Sequence, residues 1–379
     1  MPPDRDRLDF LDNLKWFLTM LVIAHHSAIA FGASGDWYYV VPPPEGSLGP
    51  RILTVYVAIQ QAFFMSLFFA ISSYFLVPSF DRKGPRRFLL DRAKRLGIPL
   101  VFYFFVLNPT LVYMTLRFQH RTDASWPTFM AERALSTTGV GPLWFVQTLL
   151  LFAVIYAAIR WLRPPPNPPR APQSLPSATR ILGFVVVLTV TTFIVRLFFP
   201  VGVEVFGLQI AEYPLYVGLF LLGVRAFRGY WLDRLDADAT RPWTLAACVA
   251  IAVLALRILT DDPAEGATSA VASVRGDFEL DAFLYAIFQV LVCVGLCFFF
   301  LRLFRARWNH SRPLSRNLTR AAYTAYIIHP FFVVAGTALV APLPGGPLLH
   351  FAMLVPLAVT TTFAASHVLR QLPGLRAIL

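Results

Sequence analysis

The chain has 379 residues, 57% hydrophobic and 14% charged, with 35 Phe and a positive mean hydropathy. That balance excludes a soluble enzyme, and several apolar runs of about 18 residues or more call for a polytopic, all-α membrane protein. The formal charge of +12 would suit a nucleic-acid binder by number alone, but its distribution along the chain removes that reading. The three cysteines, Cys248, Cys293 and Cys297, all lie in apolar runs and imply neither a disulfide framework nor a metal site.

The first apolar stretch, Leu11–Gly32, is long enough to cross hydrocarbon. Ala28-Ile29-Ala30 imitates a signal-peptide cleavage site. However, Asp4, Asp6, Asp9 and Asp12 stand where a basic leader belongs, and His25 and His26 interrupt the apolar core. The stretch therefore reads as a retained first span. Ionisable groups inside a span are costly and mark functional paths by default. Lys15 and His26 are 11 residues apart. That is about three turns, or about 16 Å along the axis, so the two share a helix face. Asp12, one turn earlier, joins that face. His25 is turned about 100° away, and a plain buried hydrogen bond suits it better.

Ten spans are expected, at 15–32, 53–76, 98–117, 142–161, 181–199, 208–226, 243–260, 281–303, 321–341 and 348–369. With these bounds, 26 of the 33 Lys and Arg fall on one side. The largest group is Arg82, Lys83, Arg86, Arg87, Arg92, Lys94 and Arg95 in the second loop. The positive-inside rule then places both termini in the cytoplasm, and the basic excess is a topology signal rather than a footprint for nucleic acid. The stretch 163–180, RPPPNPPRAPQSLPSATR, is a proline-stiffened connector between spans four and five. The stretch 261–281 is acidic, rich in small residues and expected outside. The whole chain, 1–379, reads as a single membrane domain without internal repeats.

Several polar groups are candidates for chemistry. Arg92 and Arg95 stand i, i+3, so on a helix they form one cationic fork of the kind that grips phosphate; basic residues at helix ends are also ordinary topology signals. Trp144, at the start of span four, serves as a belt aromatic or as a site wall. Ser72, Ser73, Tyr326 and His329 are further polar positions inside spans. Tyr323, Tyr326 and His329 follow one helix face, and Glu204 and Glu212 flank the start of span six from outside. Each of these taken singly is more often an interhelical hydrogen bond than a catalyst.

Four stretches taken together resemble the membrane-bound acyltransferase-3 family: LDNLKWFLTMLVIAHH, FFAISSYFLVPSFDRKGPRRFLLDRAKRLGIPLVF, GPLWFVQTLLLF and AYTAYIIHPFFVV. They occur in the family's order and cover nearly the whole chain. The opening and Ser125-Trp126-Pro127 are most similar to the branch containing the succinyltransferases of osmoregulated periplasmic glucans.

The resemblance implies an arginine, ten residues and a histidine in span one. That register falls on Lys15 and His26, with lysine keeping the charge and losing the planar fork. The family's Ser-Gly in span two is Ser72–Ser73, and its Arg-x-x-Arg is Arg92 and Arg95. An O-acyltransferase of the bacterial cytoplasmic membrane is implied. Acetyl- or succinyl-coenzyme A would be the donor substrate, with no permanently bound cofactor, and a hydroxyl of a glycan, other carbohydrate or polyol of the cell envelope the acceptor. The expected catalytic set is His26, Lys15 and Asp12, with Arg92, Arg95 and Trp144 at the donor. The competing class is a transporter or flippase of a lipid-linked or amphipathic molecule. Against it stand the missing repeat and a phosphate fork with no evident use there.

Overall fold

The computed structural model describes residues 8–44, 46–163, 173–235, 237–260 and 278–375. Half of the proline-rich stretch 163–180 and most of the acidic stretch 261–281 lie outside the described residues. Among the described residues the chain is built of helices, and the only β pairing is an isolated bridge between Val205 and Leu208.

Helix α1 is Asp9–Ala30 and α2 is Leu48–Arg92. Short helices α3 (Ile98–Phe102) and α4 (Asn108–Phe118) continue directly from α2. Then come α5 (Trp126–Arg133), α6 (Trp144–Leu162), α7 (Ala178–Phe198), α8 (Tyr213–Gly229) and α9 (Ala237–Thr260). The series closes with α10 (Leu280–Arg307), α11 (Pro313–Val340) and α12 (Pro347–Leu369).

Among the described residues, eight helical stretches are long and apolar enough to cross a membrane. One of them, Leu48–Phe118, has 71 residues. At 1.5 Å per residue it would be about 107 Å long if straight, against about 30 Å of hydrocarbon, so it holds two passes. The reversal falls at Gly84, whose φ of 70° and ψ of 168° break the helix ahead of Pro85. The return is visible in contacts. Tyr38, in the loop that precedes α2, hydrogen-bonds Asn108 at the start of α4.

Helix α1 falls outside those eight because Asp9, Asp12, Asn13, Lys15, His25 and His26 dilute its apolar character. Its position explains how it carries them. It packs against α2, α10, α11 and α12, and Phe10, Leu14, Leu18 and Ile23 are fully buried. Protein, rather than lipid, surrounds its polar groups.

Two π-helical turns interrupt the third pass, at Ala93–Gly97 and Tyr103–Leu107. Pro99 and Pro109 account for them. A proline ring clashes with the carbonyl four residues back and offers it no N–H, here at Arg95 and Phe105, and a π-turn absorbs the mismatch. The carbonyl of Arg95 instead accepts a hydrogen bond from the Tyr323 hydroxyl of α11 at 2.7 Å.

The loops expected on the basic side are joined to one another. Asp81 pairs with Arg228 at 2.8 Å and with Arg160 at 3.6 Å. Arg305 donates to the Leu232 carbonyl, and Asn13 donates to the carbonyls of Trp308 and His310.

Candidate functional site

The C-terminal end of α1 carries the candidate site. After Ala30 the chain turns back over the helix end, with Val41 N–H donating to the Ala30 carbonyl at 2.9 Å. This fold brings Trp37 onto His26. Their rings stack at 3.9 Å between centroids, 16° from parallel. His329 of α11 stacks on the same imidazole at 5.2 Å and 15°. The three rings thus form one near-parallel group, with Trp37 and His329 6.0 Å apart.

The hydrogen bonding of this group is specific. His329 Nδ1 lies 2.7 Å from the Tyr326 carbonyl, which fixes that ring, and the Tyr326 hydroxyl donates to the Pro142 carbonyl. His26 Nδ1 and His329 Nε2 are buried without a hydrogen-bond partner among the described residues. Both α1 histidines reach a cavity of about 1430 Å³, whose wall also holds Trp37, Asn108, Trp144 and Glu212.

His25 and His26 differ by degree rather than by compartment. The helix turn expected to remove His25 from the cavity does so incompletely. His25 is 5% exposed and packs on Phe64 at 5.0 Å, whereas His26 is the more open of the two. Their rings stand at 88° to each other.

Lys15 shares the face of His26 but lies at the other end of the helix and away from the cavity wall. Its Nζ is 3.0 Å from Asp12 Oδ1 and 3.8 Å from the centre of the Phe75 ring. Asp12 and Lys15, which the sequence places on one helix face, thus form an ion pair.

Arg92 and Arg95 occupy that same end of the bundle in different settings, with Arg92 closing α2 and Arg95 in the π-turn that follows. Arg92 is half-buried over the Phe88 ring, while the Arg95 side chain is 62% exposed and 3.4 Å from Asp91. Asp91 also accepts from Lys83 at 2.8 Å. Burial alone would raise the Asp91 carboxyl, but the Lys83 hydrogen bond and the charges of Arg95, Lys83 and Arg92 outweigh it and hold it below the usual carboxylate range.

Trp144 separates from those arginines. It stacks on Tyr216 at 5.4 Å and lines the histidine cavity. Ser72 and Ser73 do not join the cavity wall. The Ser73 hydroxyl donates to the Ala70 carbonyl at 3.0 Å, and Gly223 of α8 packs directly against both groups, where an added Cβ would collide. Serine in place of the family's glycine on α2 is thus accommodated by glycine on the facing helix.

Two features escaped sequence reading. Trp37 stands in a loop, where spacing carries no information. Arg196, Glu212 and Gln289 form a buried set joined by hydrogen bonds. A charge inside span five, Arg196, was the available signal; Glu212 stood out only as flanking the start of span six.

The family described as an acyltransferase domain matches residues 8–367. The chain belongs to that family. Among characterised relatives, it is 27% identical over 252 residues to a glucans biosynthesis protein C of Salmonella heidelberg (strain SL476) and equally to that of Salmonella schwarzengrund (strain CVM19633). The protein of the same name from Salmonella dublin is 26% identical over the same length. Each match covers 64% of this chain and spans 64% of the relative's length.

Proposed function

We propose that this protein is an O-acyltransferase of the bacterial cytoplasmic membrane, with both termini in the cytoplasm. It would move an acetyl or succinyl group from acyl-coenzyme A to a hydroxyl of a carbohydrate or polyol of the cell envelope. The observation that carries this reading is His26. In a chain of the acyltransferase family, it is the imidazole packed against both Trp37 and His329 on the wall of a 1430 Å³ cavity.

The donor's phosphates would meet Lys15, Arg92 and Arg95 at the opposite end, as bidentate and point-charge partners suited to phosphate. The Arg95 carbonyl touches Tyr323, and His329 lies six residues farther along α11, which is roughly 9 Å of helix. A pantetheine arm spans such a distance and brings the thioester to the cavity. His26 would then take the proton of the acceptor hydroxyl as its oxygen attacks the thioester carbonyl. The carbon–sulfur bond breaks, and coenzyme A leaves as a thiolate that the released proton neutralises. A positioned base of this kind is typically worth roughly 10²–10⁴-fold in rate.

The names of the Salmonella relatives support a glucan as the acceptor class to test first. Purified full-length protein in lipid nanodiscs, given radiolabelled acetyl- or succinyl-coenzyme A and gluco-oligosaccharides, should label the sugar. Vesicle transport of an amphipathic substrate without any acyl transfer would favour a transporter instead.

A further inference from the structure

We propose that Trp37 is the positioning residue of His26, its indole face holding the imidazole plane and meeting the positive charge that the ring takes up during transfer. The charge half of this proposal rests on the acyl-transfer reading above, and the ring-holding half does not.

An imidazole needs such a partner because its last side-chain torsion is broad, so the backbone and rotamer leave the ring plane open. In the usual catalytic arrangement a hydrogen bond closes that freedom, with a carboxylate orienting the base. His329 has such a bond, its Nδ1 lying 2.7 Å from the Tyr326 carbonyl. His26 has none at Nδ1, which is buried and unpartnered among the described residues. Glu212, the buried carboxylate of the cavity wall, is engaged by Arg196 and Gln289 instead. What faces the His26 ring is aromatic. Trp37 is 3.9 Å away and 16° from parallel, with His329 farther off at 5.2 Å.

Trp37 is itself held in place. Before it in the loop, the Ser34 N–H donates to the Thr54 hydroxyl of α2 at 3.0 Å. After it, the Tyr38 ring stands edge-on to the indole at 5.3 Å, and the Tyr38 hydroxyl donates to Asn108 of α4. Gly35, at φ 140°, lets the loop return closely over α1, since an added Cβ would lie 2.8 Å from Ile29. The indole N–H is buried without a partner among the described residues, although a buried tryptophan usually finds one. The ring is therefore placed by its face rather than by its polar edge.

That face has two consequences. It keeps the His26 nitrogens aimed, and small misplacements of a catalytic group cost rate steeply. When the proton of the acceptor hydroxyl passes to His26, on its way to the leaving thiolate, the imidazolium lies within the about 6 Å at which an indole face attracts a cation. The neutral ring lacks that attraction, so it acts on the transition state and not on substrate binding.

The test uses the full chain in lipid nanodiscs, with radiolabelled acyl-coenzyme A and a linear gluco-oligosaccharide. Trp37→Leu should lower kcat roughly 10- to 100-fold and leave the Michaelis constant for the donor and the melting temperature unchanged. Trp37→Phe, which keeps a flat ring, should regain most of that loss. A Trp37→Leu protein with wild-type kcat overturns the proposal, as does a Trp37→Phe protein no better than it. Should Trp37→Leu fail to fold, fluorinated tryptophans at position 37 keep the shape and drain the ring face of negative charge. The kcat should then fall with each added fluorine, and a flat series overturns the charge half. Carbethoxylation of His26, followed by peptide mass, needs no turnover. It should run faster in Trp37→Leu than in the wild type, and equal rates overturn the ring-holding half. A wild type that transfers no acyl group, with His26 uncovered in Trp37→Leu, would remove the acyltransferase reading and keep the ring contact. Acyl transfer with a kcat independent of residue 37 would do the reverse.

Discussion

The two ends of the bundle are built in opposite ways. The His26 end is assembled from α1, the loop after it, α11 and the start of α6, and its key rings pack against one another in the interior. The Arg92–Arg95 end is a single π-turn whose charges are shared with Lys83 and Asp91, its neighbours in sequence, and Arg95 is largely open to solvent. The first arrangement would orient the proposed proton acceptor rigidly. The second would offer adaptable charge to the proposed phosphorylated donor. If the proposed function holds, the contrast teaches that chemistry would be placed where the fold is over-determined, and capture where it is not.

The largest effect expected from breaking that contrast is at His26. His26→Ala should abolish transfer, a loss of roughly 10²–10⁴-fold, while the protein remains folded and still binds donor. His25→Ala should cost on the order of 1 kcal/mol of stability, as for a lost buried polar contact. Transfer rates and melting curves of the two variants, side by side, give the comparison, and a dead His25→Ala beside an active His26→Ala would move the chemistry by one residue.

At the other end, Arg95→Ala should raise the apparent Michaelis constant for acyl-coenzyme A by roughly 10- to 100-fold, the value of one charge-assisted contact of about 1.5–3 kcal/mol. An unchanged constant in steady-state kinetics would leave the turn as a topology signal only.

Gly223→Ala tests the scaffold between the two ends. The new methyl has no room against Ser73 and Ala70, so thermal unfolding should report a loss of about 1–3 kcal/mol. Pairing it with Ser73→Gly should return part of the loss.

The smallest effect concerns pH. Because the folded Asp91 carboxyl titrates below its ordinary range, its contribution is fully present above the unfolded value of about 3.9. It is lost only as pH falls through the lower folded value. Asp91→Asn should therefore narrow the stability difference between neutral pH and strong acid, and leave the range above about pH 5 unchanged in slope.

The membrane spans were legible because long apolar runs have few other uses. The expected span 181–199 lies within three residues of α7, and 348–369 coincides with α12 to one residue. Span 321–341 began late, since Pro313 starts α11 in a polar stretch beyond hydrocarbon, where hydropathy carries no signal. The Lys15–His26 register was legible too, because both residues sit on one helix and helix phase is arithmetic. The ring group around His26 was not, since Trp37 and His329 reach it through a loop and through a helix some 300 positions away. The π-turn that carries Arg95 had a local signal that the sequence did contain: Pro99 stands four residues after Arg95, a spacing that disfavours a regular α-turn there.

Sidedness tests the central claim most directly. Inverted membrane vesicles, with radiolabelled acyl-coenzyme A outside and gluco-oligosaccharide trapped within, present donor and acceptor to opposite ends of the bundle. Labelled sugar should form inside these vesicles, and none should form when both substrates are supplied outside only. Product formed with both substrates on the outer, cytoplasmic face alone would contradict a site divided between the two ends.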